Sequence, residues 1–451
     1  MESAIRPSPG RRTFLKGAAA GAAVLPLASP LASSCYAGGD ETLRIALVGC
    51  GGRGIGAAVQ AMHTPGPTKL IAMADAFADR LEFAHKALTS GEKYLWDETG
   101  DIPPKVDVPP ERRFVGLDAY KGAIDSGADV VILAGPPGFR PVHFEYAVQR
   151  GKHVFMEKPV AVDAPGVQRI MAAARIARNK GLKVGVGLQR RHQRTYLETI
   201  ARLREGAIGP MVTLWAYWNT AAAAPSKSYD REPGWTEFEH QLRNWYYFTY
   251  LSGDHNVEQH IHNLDVCNWV MDAHPVSAQG MGGRQVRTDP KYGMIFDHHM
   301  VEYTYADGTK LVSQSRQIPD CYNSVSEHAY GTAGYCNISG ALIDNRAGQR
   351  LWSFKGQSAN PFQVEHDDLF AAIRGNSEYM EVENGAIATM TAILGRMATY
   401  SGKLLRWDEA MESGPELAPG LDEGDMDFKP PVRPDAAGRY PVPMPGKTRV
   451  L

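Results

Sequence analysis

The 451-residue chain is poor in cysteine. Its five cysteines lie far apart with no Cys-x-x-Cys pair, which argues against a structural zinc site and a dense disulfide framework. It also lacks charge of one sign: a formal net charge of −2 supplies no field to draw it to nucleic acid or anionic lipid. There are no internal repeats and no long apolar run. The most apolar N-terminal stretch is cut by Pro26 and Pro30 and is too short to span a bilayer. What remains is an ordinary globular composition, long enough for two or three domains with real cores.

The N-terminus reads as an export segment, residues 1–34, to be set aside from the fold. Arg11-Arg12 followed by Phe14, Leu15 and Lys16 resembles a twin-arginine signal, which exports folded proteins. The expected location is periplasmic. "ASS" before Cys35 fits a small-x-small cleavage site, and Cys35 is a weaker candidate for a lipid anchor because Ala32 stands where Leu is usual.

From Thr42, "TLRIALVGCGGRGIG" gives a short buried-type strand, then Gly49, Gly51 and Gly54 at GxGxxG spacing, then a helical pattern. Strand, glycine loop and helix in that order are the context a dinucleotide fingerprint requires. The glycines permit a tight turn and close approach of a pyrophosphate to the helix N-terminus. Gly52 and Arg53 belong to the same candidate cofactor loop. A second strand, "KLIAMADAF", ends in Asp75, whose carboxylate would bond the adenine-ribose hydroxyls and repel a 2′-phosphate. NAD is therefore expected over NADP. Strands at "ADVVILAGPP" and "KHVFMEKP", with helices between them, continue a doubly wound parallel sheet over 42–165. Residues 166–204 read as a connecting helix and strand at the cleft. Over 205–405, alternating strands with Asp-Gly and Gly-Gly turns indicate a mostly antiparallel sheet with one covered face. Helices are expected there at 257–271, 362–374 and 383–403. Residues 406–451 form a tail rich in Pro and Gly. The fold class is α/β: a Rossmann domain followed by an α+β domain with an open sheet.

The stretch "GKHVFMEKPVAVDAPG", 151–166, resembles the Glu-Lys-Pro strand end of the glucose-fructose oxidoreductase / inositol dehydrogenase (Gfo/Idh/MocA) family. "AGPPGFRPVHFEYAV" is similar to that family's loop under the nicotinamide, and "EHDDLFAAIRGN" and "ENGAIATMTAILGRMATYSGK" to its C-terminal helices. The resemblance implies an NAD-dependent oxidoreductase acting on a sugar or cyclitol hydroxyl or ketone. It also implies cofactor contacts from Gly135, Pro136, Glu157 and Lys158, and a homo-oligomer. Lys158 would hydrogen-bond the reacting oxygen and stabilise alkoxide charge.

The family's second signature, an acid, a histidine four residues on and an Asp three beyond, falls on Glu258, His262 and Asp265. Residues four apart share a helix face, so Glu258 and His262 should project together. His262 would take the hydroxyl proton, and Glu258 would orient the imidazole or hold Lys158. The family pattern more often has Asp at position 258, so Glu258 could also act as an acid/base itself. His255, Glu258 and His262 fall near one helical face, but His255 is expected to open the helix at a Gly253-Asp254 cap, and no metal is assigned. Gln189, Arg191, His192, Trp245 and Asp265 are the candidate substrate contacts. Trp215, Tyr217, Trp235, Tyr246 and Tyr247 offer further ring faces.

An exported enzyme meets little free NAD, so the cofactor is expected to be tightly bound and restored within each cycle. That admits a transhydrogenase, or a redox-neutral glycosidase working by transient oxidation, elimination, hydration and re-reduction. A sugar-binding protein with vestigial NAD is the non-catalytic alternative.

Overall fold

The computed structural model describes residues 41–92, 100–221, 228–421 and 426–451. The twin-arginine segment and Cys35 lie outside them.

The first sheet alternates strand and helix: β1 (Leu43–Val48), α1 (Gly52–His63), β2 (Thr68–Asp75), α2 (Ala78–Ser90), β3 (Arg113–Val115), α3 (Ala119–Asp125), β4 (Val130–Leu133), α4 (Arg140–Gln149), β5 (His153–Met156), α5 (Ala164–Asn179) and β6 (Val184–Val186). The strands are parallel in the order β3-β2-β1-β4-β5-β6. β1 and β4 are buried almost throughout because helices cover both faces, which is why residues 45–48 and 130–133 read as unbroken apolar runs, with Arg44 the one exposed position. Strand order reverses between β1 and β4, and the carboxyl ends there open the crevice where such sheets bind ligands. Residues 166–204, expected to be a connector, supply most of α5 and the sixth strand of this sheet.

Helix α6 (Arg194–Arg204) leads to β7 (Met211–Thr220). The chain then forms α7 (Glu237–Arg243), α8 (Thr249–Ser252), α9 (His255–Glu258) and α10 (Ile261–Met271). Strands β8 (Ser277–Gly283), β9 (His298–Thr304), β10 (Lys310–Gln317), β11 (Ser324–Gly331), β12 (Gly334–Asn337), β13 (Leu342–Asn345) and β14 (Arg350–Ser353) follow. Helices α11 (Pro361–Gly375) and α12 (Val382–Ser401), strand β15 (Leu405–Arg406) and helix α13 (Trp407–Ser413) end the regular structure. The nine strands run in the order β14-β13-β12-β11-β7-β10-β9-β8-β15, all antiparallel except β10 beside β7. Helices α10 and α12 cover one face. On β7, Leu214 and Ala216 point to that face and are buried, while Trp215 and Tyr217 alternate onto the open one.

The helix expected over 257–271 is two helices. The Gln259 and His260 amides both bond the His255 carbonyl, a wide turn that ends α9 before α10 starts. No helix of the described residues is long and apolar enough to cross a membrane.

Candidate active site

The glycine loop has three distinct steric jobs. Gly49 sits at φ +97°, and a Cβ there would lie 2.3 Å from the Gly135 amide nitrogen, so the loops after β1 and β4 touch through backbone. A Cβ on Gly54 would fall 1.9 Å from the Gly49 carbonyl oxygen, so only glycine lets α1 start this close to the loop. Gly51 is the opposite case: a Cβ there meets nothing within 4 Å. It is also the N-cap of α1 and offers no side-chain cap, so the first-turn N–H groups remain for an anion. Open space over uncapped amides at the switch point fits a dinucleotide pyrophosphate. Asp75 ends β2 and accepts the Cys50 amide at 2.7 Å and the Phe77 amide at 3.0 Å. Burial raises its pKa, and those two N–H groups oppose the rise.

Arg53 and Glu157, both expected to meet the cofactor, are spent on each other. Arg53 Nε lies 2.5 Å from Glu157 Oε1, and Arg53 Nη2 donates to Gln60 Oε1 at 2.9 Å. Glu157 is buried, and a buried carboxylate needs a cation. Its side chain fills the space in front of Gly187, where a Cβ would meet Oε2 at 2.6 Å. Beneath the β4 loop lies Arg140, fully buried, donating to the Leu133 carbonyl at 2.7 Å and the Gly135 carbonyl at 2.8 Å. Burial draws its pKa down to about 10 against the pull of Glu157 and Glu258. An arginine in the first turn of an amphipathic helix gives no sequence sign that it folds inward to brace this loop.

Lys158 leaves the end of β5 through a cis Lys158–Pro159 peptide. Its ammonium donates to the Glu258 carbonyl oxygen at 2.7 Å and to Glu258 Oε1 at 3.0 Å. Glu258 therefore holds the lysine; its other oxygen, Oε2, is buried with no hydrogen-bond partner among the described residues. His262 is buried. Desolvation, then the cationic charge of Lys158, Arg190 and Arg53, push its pKa well below the ordinary histidine value, so the imidazole is neutral. Its ring stacks on Trp218, centroids 6.0 Å apart, and the Arg190 guanidinium lies 6.0 Å from the same indole. Trp218, in phase with the buried Leu214 and Ala216, belongs to the covered face of β7, a placement the sequence alone does not mark. Arg190 is in turn fixed by the buried Glu327, which also accepts from Asn263 at 2.6 Å.

The candidate substrate contacts fare differently. Arg191 and Asp265 form a bidentate ion pair, Nη2 to Oδ1 2.8 Å and Nε to Oδ2 2.9 Å, so neither is a free substrate contact. His192 bridges Asp368 at 2.7 Å and Glu381 at 2.9 Å through both ring nitrogens, which raises its pKa despite burial; it is a link to α11 and not a polyol ligand. Trp245, Tyr246 and Tyr247 pack edge-to-face in a third core cluster with Phe248 and Tyr440 of the tail. Trp215 and Tyr217 lie on the open sheet face, away from His262. Gln189 is the exception: its Oε1 is buried with no partner among the described residues. His260 bonds Ser313 at 2.7 Å, and His255 is drawn to Asp254 and His299 and not to Glu258 and His262.

A six-stranded parallel sheet with a glycine loop, a lysine at its carboxyl edge and a neutral histidine from α10 define a Rossmann-type sheet with a candidate active site at that edge. Residues 43–188 match the Gfo/Idh/MocA family model, described as "Oxidoreductase family, NAD-binding Rossmann fold". The inositol 2-dehydrogenase of Gluconacetobacter diazotrophicus is 34% identical over 140 residues, 30% of this chain and 34% of that protein. The glycosyl hydrolase family 109 protein 1 of Bacteroides thetaiotaomicron is 29% identical over 133 residues, 29% of this chain and 25% of that protein. The matched stretch thus spans about a third or less of these relatives. The fold extends further: the aldose-aldose oxidoreductase of Caulobacter crescentus, 18% identical, superposes with a TM-score of 0.61 over 81% of this chain and 99% of that one.

Proposed function

We propose that the protein is an NAD-dependent oxidoreductase acting on a hydroxyl or ketone carbon of a sugar or cyclitol. The observation that carries this is the pairing of Lys158 with Glu258 beside a neutral His262, at the carboxyl edge of a sheet whose glycine loop fits a dinucleotide. The nicotinamide, when bound, is the two-electron partner of the reacting carbon. Lys158 donates a hydrogen bond to the substrate oxygen and stabilises negative charge on it. His262, neutral and buried, takes the hydroxyl proton in oxidation and returns it in reduction. Glu258 keeps the ammonium aimed, and burial of Glu258 and His262 beside the largely buried Lys158 limits access of water. Asp75 supports NAD over NADP, since a 2′-phosphate beside it would meet a carboxylate.

The test is to denature protein purified without added cofactor and identify released nucleotide by mass spectrometry. Cofactor reduction is then followed with inositols, aldoses and their lactones. Released or titratable NAD with turnover on a polyol supports the reading; no binding of either nucleotide sinks it.

A second reading, redox-neutral glycoside cleavage, is favoured by one observation. Glu258 Oε2 is buried with no hydrogen-bond partner among the described residues, so it could serve as a spare acid/base. Release of free sugar from a glycoside without net NADH would support it. We also propose twin-arginine export with cofactor in place, tested by fractionation of cells carrying Arg11-Arg12 replaced by Lys-Lys. Self-association is proposed through the open sheet face, where Met281, Met300, Tyr330 and Tyr335 are exposed.

A further inference from the structure

Three ligand-type atoms converge at the turn into α9. Asp254 Oδ1 lies 2.9 Å from His255 Nδ1 and 3.2 Å from His299 Nε2, and the three atoms all fall within 4.8 Å of one another. All three side chains are fully buried.

The protons at this cluster can be counted. Thr399 Oγ1 donates its single proton to the Arg396 carbonyl at 2.9 Å, so towards His299 Nδ1, 2.8 Å away, it can only accept. The His299 Nδ1 therefore carries hydrogen, and in the neutral ring Nε2 presents a lone pair to Asp254 Oδ1. The carboxylate is already an acceptor, from the Phe296 amide at 3.2 Å, the Asn256 amide at 3.4 Å and the Tyr400 hydroxyl at 2.5 Å. A lone pair facing a carboxylate oxygen requires a cation between them. A proton would settle His299 alone. It would leave His255, whose two ring nitrogens have no hydrogen-bond partner among the described residues, although Nδ1 is in contact with the same oxygen. An orphaned nitrogen in a dry core is costly, and a metal on Nδ1 would relieve one of the two. One divalent ion accepts lone pairs from all three atoms at once.

We propose that Asp254, His255 and His299 bind one divalent first-row metal ion, zinc by its donor set, at a buried structural site. Two imidazoles and a carboxylate, without sulfur, are ligands zinc takes. Thr399 behind His299 is the outer hydrogen-bond partner that ligating histidines carry. Arg396, buried one helical turn before Thr399, donates through Nη1 to the Val162 and Gly253 carbonyls, which leaves the carboxylate to the metal. The site lies where Asp254, at φ +80°, starts the helix that ends in Glu258, so the ion would fix the element that holds Lys158. It is distinct from the His255, Glu258 and His262 grouping suggested by helical spacing.

The test uses the full-length protein purified without chelator or metal-affinity resin. Metal is measured by inductively coupled plasma mass spectrometry, as isolated and after zinc loading and desalting. About one equivalent per chain is expected, with a lower thermal midpoint after chelation. Cobalt loading should give visible absorption of a nitrogen- and oxygen-ligated ion, lost in His255→Ala and His299→Ala. The wild-type metal content and cobalt spectrum stand even if a variant misfolds. Less than about a tenth of an equivalent after loading, or folded variants with unchanged metal, overturns the proposal and makes the cluster an imidazolium–carboxylate pair.

Discussion

The Lys158 ammonium touches Glu258 twice, at the backbone carbonyl oxygen and at Oε1, and this contact joins the end of a Rossmann strand to a helix a hundred residues on. It gives the two residues separable roles. Lys158→Met removes the donor to the substrate oxygen and should lower kcat/KM by about 10²–10³-fold while the protein stays folded. Glu258→Ala leaves a largely buried ammonium with the carbonyl alone and should cost about 2–3 kcal/mol in urea denaturation as well as activity. A Lys158→Met variant with wild-type turnover would remove it from the chemistry.

The glycine loop predicts an asymmetry between two substitutions of the same kind. Gly51→Ala places a methyl in open space at an ordinary backbone angle, φ −76°. The protein should fold with an unchanged thermal midpoint but bind NAD at least about tenfold more weakly, because the methyl occupies the anion's place. Gly54→Ala drives a methyl onto the Gly49 carbonyl and should lower the midpoint itself, since α1 must move away from the loop. Differential scanning fluorimetry with and without NAD separates the two; equal affinity in Gly51→Ala and wild type would put the pyrophosphate elsewhere.

Much of this site could be read from local order. The strand–glycine–helix succession and the Glu-Lys-Pro strand end are short-range signals, and both lie where they were expected at the sheet's carboxyl edge. Lys158, His262 and Glu258 come together, although not on one continuous helix: the break at Gln259–His260 turns on which carbonyl an amide chooses, which periodicity does not encode. Residues read as substrate contacts failed for one shared reason. Arg191, His192 and Asp265 are charged or titratable and buried, and each found a partner distant in sequence, Asp265, Glu381 and Arg191 in turn. Pair formation across such separations depends on the tertiary fold, so a lone charged residue at a cleft edge looks free in the sequence when it is not. Asp254 and His299, 45 residues apart, are invisible as a pair for the same reason.

Acid should destabilise the protein through its buried neutral histidines, and His143 isolates the effect. It lies between Tyr120 and Phe139, and burial, helped by Arg140, holds its pKa down at about 3. In the unfolded chain the same ring titrates near about 6.5. Between these values the unfolded state binds a proton that the folded state refuses, so this contribution to stability falls as pH falls below about 6.5. Buried carboxyls with raised pKa, Glu327 and Asp265, act with the opposite sign, so wild type must be compared with a variant lacking only the imidazole. Relative to His143→Phe, the wild type should lose about 2.3 kcal/mol between pH 6.5 and 4.5. Parallel urea-denaturation curves over that range would remove His143 as a neutral buried group.

Cofactor choice turns on one charge. Asp75 is anchored to the glycine loop by the Cys50 amide, so its carboxylate cannot swing away from a phosphate placed on the adenosine ribose. Asp75→Asn removes the charge and keeps one oxygen for the Cys50 amide, while the Phe77 amide loses its acceptor. NAD affinity should fall modestly, through loss of a strong acceptor for the ribose hydroxyls. NADP affinity should rise, because a like-charge clash worth several kcal/mol disappears. The NADP-to-NAD ratio of dissociation constants should shift towards NADP by about 10–100-fold, readable by nucleotide titration of apoprotein. A ratio that stays put would mean the ribose lies out of reach of Asp75.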